Sequence, residues 1–337
     1  MRFYINFFTV ALLLAVMTLP GASVAADKGG LRSAVELFDK QKYTEARHLL
    51  EDLLEDGEEN GAMFYYLGRL DLIDGDHESA VKYLERTVDI DPDESEHHYW
   101  LAVSVMRKAA YSNFLGRMNN MRKALDAFNT AIELDPQNIR ARMTVFQMMV
   151  RSFKRGGVKE EELIKQAQSI AGIDSAMGYV AYGTYFQFAE NDMERAGEQF
   201  EKGYDLSPGN RAVAISYADY LWLVDEKDEA IRALDSYVQE KPDDKPGHFA
   251  LGAKIVLRGN NNEAARELFE RCLLLKSETG MPTEAMVRWC LGLVCHLAGE
   301  EDVARAEWSR VYELDSNFDS ILKTTPLMSE LNSILSK

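Results

Sequence analysis

His97 and His98 stand side by side in "SEHHYW", and a zinc pair on a helix needs its two imidazoles on one face, three or four residues apart. Adjacent histidines point to different sides of a helix, so this pair reads as exposed rather than metal-ligating. The acidic run "DLIDGDHE" (71–78) has the composition of a calcium loop but neither the alternating Asp register nor the closing Glu. Cys272, Cys290 and Cys295 are three thiols. Cys290 and Cys295 are five apart, about 140° around a helix, and cannot bridge each other within one. Cys272 could meet one of them across a helix pair, or all three could be small buried side chains. No glycine-rich phosphate loop follows a strand, and no serine carries the glycine-flanked turn of a nucleophile. Neither a catalytic residue, a metal ligand nor a cofactor site is expected.

Charge is the next lead. Acids outnumber bases 55 to 38, for a net charge of −17, which argues against nucleic acid or an anionic membrane as the partner of the whole chain. One stretch reverses the sign. Between Arg107 and Lys159 stand eleven bases, among them Arg107, Lys108, Arg117, Arg122, Lys123, Arg151, Lys154 and Arg155, against three acids, Asp126, Glu133 and Asp135. Such asymmetry suits an anionic partner, or a solvated helical face that balances acidic neighbours.

These residues must be positioned by elements, and the elements repeat. "ESAVKYLERTVDIDPDE" (78–94) and "RKALDAFNTAIELDPQN" (122–138) share an alanine, a bulky residue four later and a closing Asp-Pro. The alanine recurs at Ala46, Ala80, Ala124, Ala196, Ala230, Ala265 and Ala304, each followed four residues on by Leu50, Leu84, Phe128, Phe200, Leu234, Phe269 or Trp308. Leu67-Gly68, Leu101-Ala102, Leu251-Gly252 and Leu291-Gly292 stand ahead of several copies, and Ala46 to Ala80 and Ala196 to Ala230 are steps of 34 residues. Small residues let two antiparallel helices approach, bulky ones at helical spacing fill the space beside them, and Asp-Pro ends the second helix.

The chain resembles the tetratricopeptide-repeat (TPR) family in period, in its Leu-Gly, Ala, aromatic and Pro positions, and in helix–turn–helix form. The resemblance implies an all-α fold: a right-handed α-solenoid superhelix of about eight helix pairs with a C-terminal capping helix. The expected units are 27–60 (degenerate), 61–94, 95–138 with an insertion at 107–122, 139–176 (irregular), 177–210, 211–244, 245–284 with a linker, and 285–318, before a capping tail at 319–337. The tail carries Phe318, Ile321, Leu322, Leu327, Leu331, Ile334 and Leu335, the apolar set a solenoid needs to close its last face.

In this family the inner wall is built mainly from first-helix residues. Carried onto this sequence, the resemblance places Tyr65, Arg69, Tyr99, Tyr185, Phe188, Trp222, Phe249, Trp289 and His296 on or near that wall. One branch of the family grips a peptide carboxylate with a Lys/Asn/Arg clamp; here the matching positions are Tyr65, Arg69, Tyr99, Val103, Met143 and Gln147, so that clamp is absent. An aromatic groove suits an apolar or helical protein segment.

Residues 1–26, "MRFYINFFTVALLLAVMTLPGASVAA", have one charge (Arg2), an apolar run, Pro20-Gly21 and a small-residue exit, the layout of a cleavable secretory signal for a periplasmic or secreted chain, with an uncleaved N-terminal anchor as the rival reading. The expectation is an exported, non-catalytic scaffold of a bacterial envelope or periplasm that binds a protein or peptide. The alternatives are recognition of an anionic polysaccharide or lipid through 107–159, and an accessory role in an exported enzyme complex.

Overall fold

The computed structural model describes residues 28–336 apart from Glu58 and Asn260, so the expected signal segment lies outside the described residues. Eighteen α-helices and no strand occur among them. Eight antiparallel pairs follow one another: α1 (Lys28–Asp39) with α2 (Tyr43–Glu55), α3 (Gly61–Asp74) with α4 (His77–Ile90), α5 (Ser95–Ala110) with α6 (Phe114–Leu134), and α7 (Ile139–Phe153) with α8 (Glu160–Ile173). After these come α9 (Ser175–Tyr185) with α10 (Met193–Leu206), α11 (Arg211–Leu223) with α12 (Lys227–Glu240), α13 (Lys245–Arg258) with α14 (Asn262–Leu274), and α15 (Glu284–Leu297) with α16 (Glu301–Leu314). Two short helices, α17 (Phe318–Thr324) and α18 (Pro326–Asn332), complete the chain. None of the described helices is long and apolar enough to cross a membrane.

Local chemistry sets the helix ends. Side chains of Asn60, Asp76, Asn113, Asn138, Asp174, Asp192, Asn210, Asp244, Asn261 and Thr283 accept hydrogen bonds from the first free amides of their helices. Gly75 and Gly259 close α3 and α13 in the left-handed region, which glycine enters without strain.

Within each pair the repeated small residues sit where backbones meet. A Cβ on Gly68 would come 2.7 Å from Leu84, on Gly183 2.9 Å from Phe200, on Gly252 2.9 Å from Phe269, and on Gly292 2.4 Å from Trp308. Each bulky second-helix residue therefore fills the notch its partner glycine leaves. Ala46, Ala80, Ala124, Ala196, Ala230, Ala265 and Ala304 are all wholly buried.

Which side is concave follows from the contacts. Among the described residues α1 touches α3, α3 touches α5, α7 touches α9, α9 touches α11, α11 touches α13 and α13 touches α15, whereas no two successive second helices meet comparably. First helices are thus crowded on the inner side of the curve. The curve also meets itself. The Tyr111 hydroxyl donates to Asp315 (3.2 Å), and the Ser320 hydroxyl donates to the Ala110 carbonyl (3.0 Å), tying the α5–α6 turn to the α16–α17 junction. In the 275–283 linker, Gly280 lies so close to α3 that a Cβ would stand 2.5 Å from the Leu72 carbonyl oxygen.

Candidate functional site

The extra residues of the third unit form the turn at 111–113 and lengthen α6 to 21 residues. The extension presents Phe114 (74 % exposed), Leu115 (71 %) and Met118 (58 %) to solvent. Its bases do not form one free patch. Lys108 pairs with Glu78 (3.5 Å), Lys123 with Glu85, and Arg140 with Glu96, all acids contributed by α4 or α5. Arg117 donates to the Ala109 carbonyl (3.3 Å). Arg122, Arg151, Lys154 and Arg155 are exposed, and Lys154 approaches the Phe188 ring at 5.9 Å.

Arg107 departs most from its expected surface place. It is largely buried, its Nε has no hydrogen-bond partner, and burial holds its pKa below the usual guanidinium range. It lies near Tyr99, Tyr111 and His77. His77 is neutral there: burial first, then the Arg107 charge, push its pKa down to about 4. These groups adjoin the seam where the curve closes. A cavity of about 540 Å³ opens at that seam, walled by Asp74, His77, Lys108, Tyr111, Lys245 and Asp315 among others.

The aromatic wall divides in two. Tyr99, Tyr185, Phe249 and Trp289 are buried, as is Arg69, so none of these five offers a free side chain to a partner in this conformation. They hold the repeats together instead. Arg69 stacks on Trp100 (3.4 Å to the ring centroid) and donates to the half-buried Tyr65 hydroxyl (2.9 Å). Tyr99 is covered by Arg140 at 4.4 Å, Phe249 packs on Phe269 at 5.7 Å, and the Trp289 carbonyl accepts from Trp308 (3.1 Å). In a tight array the inner face of a first helix is also the seam with its neighbours, and large rings are drawn into the seam. His296 lies half-buried beside Trp308.

Phe188 and Trp222 remain accessible. Phe188, 44 % exposed, sits on a π-helical turn (Phe186–Glu190) that ends α9. Trp222, near the end of α11, is half-buried with Lys254 at 4.8 Å and Lys227 at 5.6 Å from its ring. Lys254 is itself 7 % exposed and is held by Asp219 at 2.8 Å. This corner of the wall is occupied. The Trp222 Nε1 donates to Glu330 of α18 (3.4 Å), and Met328 and Leu331 of α18 are wholly buried in a cluster with Leu221, Leu251 and Ile255. Sequence reading named Trp222 but missed Lys254, Met328 and Glu330. Leu331 was legible there only as part of an apolar tail, because its docking place depends on the curvature of the array.

Cys272, Cys290 and Cys295 are free and buried, with no disulfide. The Cys272 thiol donates to the Lys245 carbonyl at 3.5 Å, and burial raises its pKa to about 12.

The TPR family signature matches residues 31–95, 102–138 and 187–255. The chain belongs to the tetratricopeptide-repeat family. A TPR repeat-containing protein of Dictyostelium discoideum is 23% identical over 208 residues, spanning 60% of this chain and 73% of its own length. Anaphase-promoting complex subunit 7 of Arabidopsis thaliana is 24% identical over 212 residues, 63% of this TPR chain but only 35% of the Arabidopsis protein. Among solved structures, the human IFIT1 dimer with m7Gppp-AAAA superposes with a TM-score of 0.50 at 16% identity, covering 88% of this chain and 71% of that one. A thermophilic TPR protein of Thermus thermophilus gives 0.45 at 16% identity over 58% of this chain and 100% of its own. At these identities the likeness is one of fold.

Proposed function

We propose that this TPR protein is a non-catalytic scaffold that holds a helical segment of another protein against its inner wall. TPR arrays are in general interaction scaffolds, and the observation that carries the reading here is the inner wall itself. At α11 and α13 it receives the short helix α18, whose Glu330 accepts a hydrogen bond from Trp222, the ring of which lies beside Lys227 and Lys254. This is the physics of helix-in-groove recognition, with apolar side chains supplying affinity and a few polar contacts fixing orientation. The signal-like residues 1–26 favour export, with the bacterial envelope or periplasm as the setting and assembly of an envelope, secretion, pilus or polysaccharide-export complex as the task. The anionic-polysaccharide or lipid reading of 107–159 loses support, because Glu78, Glu85 and Glu96 neutralise Lys108, Lys123 and Arg140, and Arg107 faces inward.

Affinity capture from envelope extract with the mature chain tests this. A partner should be retained when salt is raised from roughly 0.05 to 0.5 M, a range that screens surface charge pairs. Capture should fall at least tenfold with Trp222→Ala and persist when Arg151, Lys154 and Arg155 are changed to Glu. The opposite pattern, salt-sensitive capture indifferent to Trp222, would transfer the function to the basic region.

A further inference from the structure

Helix α18 does not cap the last repeat in the simple sense of lying over its outer face. Among the described elements its main contacts beyond its own flanks are to α13, two first helices back along the inner wall, and through Glu330 to α11, three back. Its neighbour α17 is fixed elsewhere, touching α5 across the closed curve, with Ser320 bonded to the Ala110 carbonyl. Between them Thr325 is extended (φ −98°, ψ 114°) and Pro326 opens α18, so the two short helices fold back on each other about one non-helical residue, and Phe318 and Ile321 share a buried cluster with Met328 and Leu331. Each is seven residues long. Isolated helices under roughly 12 residues are marginal in water, so α18 is helical because the wall makes it so.

The fit is apolar at its centre and open at its edge. Met328 and Leu331, three residues apart and on one face of α18, are wholly buried against the wall, and Glu330 beside them reaches Trp222 between Lys227 and Lys254. Toward α15–α16 the packing leaves space. A cavity of about 410 Å³ lies there, lined by Trp308, Tyr312, Asp319, Leu322, Asn332 and Leu335 among others. The segment is therefore seated by Met328 and Leu331, with Leu327 packed beside them, and by a hydrogen bond to Trp222 of α11, with a cavity along its other side.

We propose that α18 is a displaceable, built-in occupant of a helix-binding subsite on α11 and α13, and that the external partner is an amphipathic helix of the same chemistry: two apolar side chains one turn apart with a carboxylate beside them. This rests on the scaffold reading above and specifies its ligand. The carboxylate preference follows from the Trp222 Nε1 donor, which Glu330 takes up, while the two neighbouring lysines are engaged with Asp219 and Asp225, the acids of this corner. A tethered occupant competes at an effective concentration on the order of millimolar, so the unmodified chain should bind an outside helix weakly until α18 leaves.

The probe is a fluorescein-labelled synthetic peptide of residues 318–337, titrated against the full mature chain. Met328→Asp with Leu331→Asp in the chain should release α18 and strengthen peptide binding at least tenfold over the unmodified chain. Adding Trp222→Ala or Lys254→Met should remove the gain, and a peptide carrying the same two aspartates should not bind. If the doubly substituted chain keeps its helical circular dichroism yet binds the peptide no better, α18 is simply part of the core and the proposal is overturned. Should that variant fail to fold, hydrogen exchange on the unmodified chain decides. Amides of 327–332 should open at least tenfold more often than those of α13, and exchange only through global unfolding overturns the idea. The two readings separate cleanly. If the released chain takes the peptide but neither chain captures a partner from envelope extract, the scaffold function fails and the occupant stands. If both chains capture one partner equally through Trp222, the scaffold stands and the occupant fails.

Discussion

His77 opens α4 with its ring 5.2 Å from that of Tyr111 and its Nδ1 buried without a hydrogen-bond partner. The groups that face it are Arg107 from α5, Asp76 before α4 and Asp315 after α16. Burial, reinforced by Arg107 and only partly offset by the two aspartates, lowers its pKa from 6.5 to about 4. The folded chain therefore resists a proton that the unfolded chain accepts, so stability is intact above pH 6.5 and is lost as pH falls toward 4. The full span is worth on the order of 3 kcal/mol. In urea unfolding at pH 7 and pH 4.5, His77→Gln should narrow the loss by most of that amount relative to the unmodified chain. Arg107→Met should raise the His77 pKa in an imidazole NMR titration, and titration of wild-type His77 near its ordinary value of 6.5 would refute the arrangement. None of this was legible in sequence, where Arg107 stood among bases and His77 in an acidic turn. The seam that buries them is closed by Asp315, which meets Tyr111 from 204 positions away.

At the scale of elements, the repeat phrase was readable because it records packing directly: Gly or Ala where backbones meet, a ring or leucine where the notch must be filled. What periodicity did not convey was which rings stay exposed. Tyr99, Tyr185, Phe249 and Trp289 lie on first helices as Trp222 does, and only the angle between successive pairs separates a seam residue from a groove residue. The α6 extension shows the opposite case, with large apolar residues that spacing does not bury. Phe114, Leu115 and Met118 project from an added stretch of helix that leaves them uncovered. Substituting all three with serine should leave stability within about 0.5 kcal/mol per site, the range for surface changes away from caps and cores. It should also lower the binding of an apolar dye by the folded chain. A loss of several kcal/mol would mean that the extension is packed in solution.

For the whole molecule, the decisive feature is that an open array has been closed. In a linear solenoid each unit contacts only its neighbours, so ends fray and stability is close to a sum over units. Here Tyr111, Ser320 and Gly280 bind the second and third pairs to the eighth and its linker. Closure should couple the two ends, making their unfolding cooperative despite eight separate repeats. Gly280→Ala attacks this without changing a residue of any helix. Gly280 has φ +68°, where a side chain is strained, and the new methyl would meet the α3 backbone at Leu72 and Ile73. Because both obstacles are backbone rather than flexible side chain, the linker must withdraw from α3. Combined with Tyr111→Phe, which deletes the hydroxyl donated to Asp315, the variant should show a larger radius of gyration by small-angle scattering. Its thermal transition should broaden or split into an early phase from α15–α18 and a later one from the middle repeats. A single sharp transition and an unchanged radius would show that nearest-neighbour stacking alone fixes the curve, leaving the seam contacts incidental to the shape of the wall that receives α18.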